Sequence, residues 1–201
     1  MNPPDGRIPP RERNGAVTHI AYALVVTTPP SISVESPRAA GIARLLEHGS
    51  AFSRALYPAG AGCVQLDADE LDRPGVSVYV ARSEDGTALG MVALIEQGDL
   101  DGARAEIARM YVDEAARGLG IAGMLLHRAE TDAAARGVRE LVLQTGSQHL
   151  AAQALYAKHG YRRVPAFGRY AGVPASVCMA KSLVGFGAEL LGDDRPLAVG
   201  E

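Results

Sequence analysis

The residues best suited to chemistry lie together in "RGLGIAGMLL", Arg117 to Leu126. Gly118, Gly120 and Gly123 spell G-x-G-x-x-G, with an arginine directly before them. A glycine-rich loop opening a helix aims backbone N–H groups, and the positive end of the helix dipole, at an anion. A dinucleotide turn needs its glycines tight against the preceding strand, and an acid about 20 residues on at the end of the next strand. Here "DEAAR" separates Val112 from Gly118, and the next strand ends "LVLQTG" without an acid. A triphosphate loop needs Lys and then Ser or Thr after its last glycine; Met124 and Leu125 stand there instead. What survives is an anion cradle suited to a pyrophosphate, with Arg117 at its mouth.

The surrounding pattern supplies the elements that must hold this loop. "SISVES" reads as a short strand, and Pro37 suits the first turn of a helix through "RAAGIARLLEHG". "SAFSRALYPAG" reads as a second short helix ended by Pro58 and Gly60. "VSVYVAR" and "ALGMVALIE" form a hairpin around "SEDGT", and "AEIARMYV" is a long strand running into the glycine loop. From Leu119 to Arg136, Ala122, Leu125, Leu126, Ala129 and Ala133 recur at helical spacing, with Gly137 placed to end the helix. "RELVLQT" has the continuous apolar character of a strand buried on both faces. "HLAAQALYAKHG" is a helix closed by Gly160, and "YRRV" and "SVCMAKSL" supply the last strands. Antiparallel strands followed by strand-helix-strand-helix predict an α/β domain whose sheet is mixed and mostly antiparallel, flanked by helices.

With that layout in place, "RMYVDEAARGLGIAGMLL" resembles the acyl-CoA pyrophosphate loop of the GNAT superfamily of N-acyltransferases. Its Arg/Gln-x-x-Gly-x-Gly/Ala pattern is met by Arg117, Gly120 and Ala122. "QTGSQHLAAQALYAKHGYRRVPAFGRY" is similar to the family's Ala-x-x-Leu-Tyr-x-x-x-Gly-Tyr segment. The resemblance implies a single GNAT domain over residues 31–183, with an N-terminal extension at 1–30 and a tail at 184–201. It implies acetyl-CoA as cosubstrate and transfer of an acetyl group to a primary amine. Met110, Tyr111 and Val112 would hold the pantetheine arm through their backbone, a bulge there freeing an N–H for the thioester oxygen. Gly118, Leu119, Gly120, Ile121, Ala122 and Gly123 would bind the pyrophosphate, with Arg117 nearby. Tyr156 matches the tyrosine that the family commonly uses as general acid. His149 stands where many relatives have Asn and would share in cofactor binding.

The chemistry of these side chains agrees with such roles. Positions 149 and 156 are seven apart, about two helical turns, so both face one way with Gln153 between them. Leu150, Ala151, Ala154 and Leu155 would cover another face. Acyl transfer from a thioester needs a neutral amine, a stabilised oxyanion and a protonated leaving thiolate. Tyrosine titrates near ~10 and a thiol near ~8.5, so a tyrosine can protonate the sulfur when its own anion is stabilised or quickly reprotonated. Glu106 is the candidate base, acting through water; it and Arg109 lie near the middle of the central strand, facing either neighbours or substrate. No covalent nucleophile is apparent. An alternative is an acyl-CoA-binding sensor or partner module without catalysis, and retention of Tyr156 favours the enzyme.

Composition sets the remaining bounds. A chain of 201 residues, 47% hydrophobic and 21% charged, suits one globular domain. A net charge of -3 gives no reason to expect nucleic acid or an anionic membrane as partner. Cys63 and Cys178, far apart in the chain, fit reduced thiols of a cytoplasmic protein. The histidines show no metal-ligand spacing, so no metal is expected. "AVTHIAYALVV" is shorter than a membrane span and is interrupted by Thr18 and His19, which argues against a signal peptide. "QLDADELD" reads as a short solvated helix capped by Asp67. The acceptor would be gripped near Phe52 to Tyr57 and Phe167 to Tyr170, segments that offer aromatic rings but no decisive charge. A small molecule or a peptide amine suits that site, and a homodimer is compatible with the sequence.

Overall fold

The computed structural model describes residues 28–57, 65–97 and 103–185. Most of the N-terminal extension and the tail therefore lies outside the described residues, as do Pro58, Gly60 and Cys63. Strands β1 (Ser31–Glu35), β2 (Val76–Arg82), β3 (Ala88–Glu96), β4 (Arg104–Val112), β5 (Glu140–Gly146), β6 (Arg162–Arg163) and β7 (Ser176–Ser182) form one sheet in the order β1-β2-β3-β4-β5-β7-β6. Only the β4–β5 pair is parallel; the other five pairings are antiparallel. This is the mixed, mostly antiparallel α/β sheet that the pattern predicts.

Helices α1 (Ile42–Leu56) and α3 (Ile121–Ala135) cover opposite faces of that sheet, with α2 (Ala68–Leu71) in the core under α1 and α4 (Leu150–Lys158) in the core under α3. Strand β3 shows why both faces are dry. Its side chains alternate, Val92 and Leu94 entering the core under α3 while Met91 and Ala93 enter the core under α1. Leu125 and Leu126 of α3 are fully buried, and removing such a side chain from water is worth about 1.5–3 kcal/mol. Asp67 caps α2 as expected, its carboxylate accepting from the N–H of Glu70 while Glu70 accepts from Asp67 in return.

Three local expectations need correction. The first helix begins at Ile42, not Pro37, because Gly41 at φ 83° breaks helical geometry and residues 37–40 form turns. The two early helices are one, running unbroken from Ile42 to Leu56 through Gly49. Gly49 is held in mid-helix by close approach: a Cβ there would meet the Tyr111 ring at 3.2 Å. On α4, Leu150 is exposed, whereas Ala151 and Leu155 share the wall of one cavity with Tyr156 rather than a separate face.

Candidate active site

The site is an opening in the sheet. β4 and β5 pair in parallel from Arg104↔Glu140 to Ile107↔Leu143, and there the ladder stops although both strands continue. The cause lies on the other edge of β4. Ala93 opposes Ala108 and Met91 opposes Tyr111, so Arg109 and Met110 together oppose Val92. Such a bulge bends its strand and increases its twist, which carries the end of β4 away from β5. Arg109 takes the strain, with φ 53°. Beyond Ile107 the β5-facing edge of β4 has no ladder partner, so an extended ligand can lie along it.

The glycine loop closes one end of this wedge. Gly118 and Gly120 adopt φ 82° and 77°, and a Cβ built on either would meet nothing within 4 Å. Gly120 is the N-cap of α3 and offers no side-chain cap. None of the backbone N–H groups from Gly118 to Gly123 donates to a described residue, which leaves the start of α3 able to take an anion. Gly123 has a second reason to be glycine, since a Cβ there would meet Nε2 of His159 at 3.2 Å. Arg117 reaches across the opening, its guanidinium 5.1 Å from the Phe52 ring centroid and 5.8 Å from that of Tyr111.

A cavity of about 440 Å³ lies beneath the wedge, walled by Met110, Tyr111, Val112, Arg117, Ala122, His149 and Tyr156 together with part of α1. Tyr156 is buried, its ring set edge-on to Tyr161 at 5.6 Å. Its hydroxyl bonds to no described residue and is not sealed from solvent, so it opens toward the cavity. Burial pushes this phenol above the ordinary tyrosine value, and it stays protonated. His149 faces the same cavity but leans on α1: Phe52 meets its ring edge-on at 5.7 Å, Tyr57 stacks at 5.8 Å, and Ser53 Oγ lies 3.3 Å from Nε2. Burial lowers the imidazole below its usual value, which favours the neutral ring. Gln153 does not join them; its amide donates to the carbonyls of Gly146 and Ser147 and fixes the entry to α4.

A model of the Acetyltransferase (GNAT) family matches residues 43–161, which span the bulge, the glycine loop and Tyr156. The chain belongs to this family. It is 36% identical over 153 residues to the IAA acetyltransferase of Azospirillum brasilense, covering 76% of this chain and 97% of that one. A structure assigned as an acyl-CoA N-acyltransferase from Klebsiella pneumoniae superposes with a TM-score of 0.64 at 30% identity, covering 77% of this chain and 97% of that one. A GNAT family acetyltransferase from Elizabethkingia anophelis, solved with acetyl-CoA bound, shares the fold with a TM-score of 0.56 at 20% identity, covering 77% of this chain and 98% of that one. This protein is accordingly an acyltransferase.

Two features of the acetyltransferase site are set by residues distant in sequence. Glu106 does not wall the cavity. It is buried beside Tyr170, whose hydroxyl donates to Oε1 at 2.5 Å, and Arg169 Nη2 donates to the same oxygen at 3.1 Å. Its Oε2 has no partner among the described residues and keeps contact with solvent. Phe52, Ser53, Gln65 and Gln144 also line the wall, and of these the sequence pointed only to the region of Phe52 and Ser53. Arg109 also lines the cavity, with its side chain turned to α1. Among the described residues no three His, Cys, Asp or Glu side chains gather to hold a metal, and no helix is long and apolar enough to cross a membrane.

Proposed function

We propose that this acetyltransferase moves the acetyl group of acetyl-CoA to a primary amine by direct attack. The observation that carries the reading is the wedge between β4 and β5, with an uncapped helix N-terminus at one end and the Tyr156 hydroxyl in its wall. Acetyl-CoA supplies an activated thioester. The backbone N–H groups of Gly118 to Gly123, with Arg117, hold the pyrophosphate. Met110, Tyr111 and Val112 hold the pantetheine arm along the unpaired edge, and the bulge offers an N–H to the charge growing on the thioester oxygen. His149 positions the cofactor arm from the side of α1.

Tyr156 protonates the departing sulfur as the new C–N bond forms and the C–S bond breaks. Burial makes its phenol a weak acid, but a thiolate released in the same low-dielectric cavity is also a stronger base than in water. The amine gives up one proton, which Glu106 receives through water at Oε2. Residues 31–183 make up the domain, and the enzyme works in the cytoplasm on a small-molecule or peptide amine, without nucleic acid or membrane. The buried, unpaired Cys178 supports a reducing compartment.

Release of free thiol from acetyl-CoA across a panel of amines tests the transfer. Calorimetry with acetyl-CoA and NAD(H) tests the cradle: acetyl-CoA binds and NAD(H) does not. Tighter NAD(H) binding would overturn the reading, and binding of acetyl-CoA without transfer to any amine would favour a sensor.

A further inference from the structure

The wall of the cavity carries positive charge and no negative charge. Among the described residues it holds Arg109 and Arg117 and neither an aspartate nor a glutamate. Arg117 stands at the glycine loop, but Arg109 lies deeper. In a regular strand its side chain would alternate away from that of Ala108. The bulge instead turns both toward α1, while Met110 and Val112 keep to the α3 side. No other non-glycine residue among those described has a positive φ. The fold holds a strained backbone there, and the strain sets where this guanidinium points.

Every partner of that guanidinium is neutral. Nη2 donates to the Leu46 carbonyl at 2.7 Å, Nη1 donates to Oε1 of Gln65 at 2.8 Å, and both reach Ser50 Oγ at 3.3 Å. No described carboxylate pairs with it, and burial alone pulls it below the ordinary arginine value. Nε donates to no described residue and keeps contact with solvent. A partly desolvated cation with a spare N–H on a ligand cavity favours an anion from the ligand.

We infer that the acceptor carries a carboxylate as well as its amine, and that Arg109 binds that carboxylate, which makes the substrate class an amino acid. This rests on the acetyl-transfer reading of the same cavity. The amine attacks the thioester carbon, a C–N bond replaces the C–S bond, one proton leaves nitrogen and one reaches sulfur. The carboxylate is unchanged and only anchors the molecule. Phe52, Tyr111 and Leu155 line the same cavity and suit an apolar side chain. Arg117 is paired with Glu114 outside the wall, but the wall itself holds no carboxylate among the described residues to receive the further positive charge of a polyamine or aminoglycoside.

The test compares L-leucine, L-methionine and L-phenylalanine each with its own carboxamide, alongside spermidine and kanamycin. Thiol release measures turnover, and calorimetry on the full chain saturated with coenzyme A measures binding. A carboxamide keeps more of its amine neutral near about pH 7.5, so amine basicity cannot create a preference for the acid. In at least one pair the acid should exceed the amide by about tenfold or more in both kcat/KM and affinity, with both polycations inert. Arg109→Gln should bring that ratio within about threefold by raising KM for the acid, leaving acetyl-CoA affinity within about threefold. If that variant fails to fold, Arg109→Lys, which keeps the charge, should weaken the acid more than the amide. Amides matching acids in every pair, polycations as the best acceptors, or no binding by either set overturns the carboxylate site. Acids and amides acetylated alike would overturn it and leave acetyl transfer standing. Acids bound in preference with no thiol released from any amine would do the reverse.

Discussion

Ser53 Oγ lies 3.3 Å from Nε2 of His149, joining the last turn of α1 to the residue that precedes α4. His149 is thereby held against α1, with Phe52 and Tyr57 on its ring. His149→Asn should leave turnover within a few-fold of the parent, since position and not acid–base chemistry is what the residue supplies. The variant should also change the response to pH. Burial holds the folded imidazole below its ordinary value, so below about pH 6.5 the unfolded chain binds more protons than the folded one. Stability therefore falls in the parent as pH is lowered through that window, and less so in His149→Asn. Urea unfolding at neutral and mildly acid pH checks this; parallel curves for the two proteins would show that the ring does not feel its burial.

Tyr156→Phe keeps the ring against Tyr161 and removes the hydroxyl that opens to the cavity. Turnover should fall roughly 100-fold or more while acetyl-CoA affinity changes little, because proton transfer helps the transition state and not the bound ground state. The comparison of kcat with the calorimetric Kd decides it. Full turnover with chemistry shown to be rate-limiting would remove this tyrosine from the mechanism.

Gly120→Glu should weaken acetyl-CoA binding by roughly 100-fold or more. It puts a negative charge where phosphate is drawn and forces a side chain onto a backbone at φ 77°. Gly120→Ala, whose Cβ meets nothing within 4 Å of protein, separates backbone strain from charge. Unchanged affinity in Gly120→Glu would make the loop a packing device only.

Glu106→Gln tests the carboxylate beneath Tyr170. A base acting through water predicts a fall in kcat of about 100-fold and loss of the acidic limb of the pH–rate profile. A role confined to holding Tyr170 predicts a higher KM with an unshifted profile.

Lys181→Met should destabilise the fold by about 3–5 kcal/mol, because it leaves the Glu130 carboxylate buried without the cation now 2.8 Å from Oε2. Its other oxygen, Oε1, has no partner as it stands. Replacing both residues with methionine should recover much of that loss, which denaturant melts can measure.

Much of this protein was legible in order along the chain. The alternation of β2 and β3, the helical spacing of α3, the Asp67 cap and the glycines that end α3 and α4 each act within a few residues. They reflect backbone sterics and local hydrogen bonds that do not depend on distant partners. The spacing of Arg117, Gly120 and Ala122, followed by that of Tyr156, likewise marks one loop and one helix, and these motifs carried the resemblance to the family.

Tertiary structure decided where the cavity opens and what charge it holds. Nothing local in "AEIARMYV" shows that Arg109 and Met110 will share one partner residue, since that slip balances pairing against β3 with packing on two faces. Nor does "SAFSRAL" show that it continues α1, because the reason for a glycine at position 49 is the ring of Tyr111 from another strand and not a helix end. The bulge alone turns Arg109 toward α1 and ends the β4–β5 ladder at Ile107. A register shift of one residue moves side chains to the other face at little local cost, so it is the summed long-range packing, and no short stretch of sequence, that selects it.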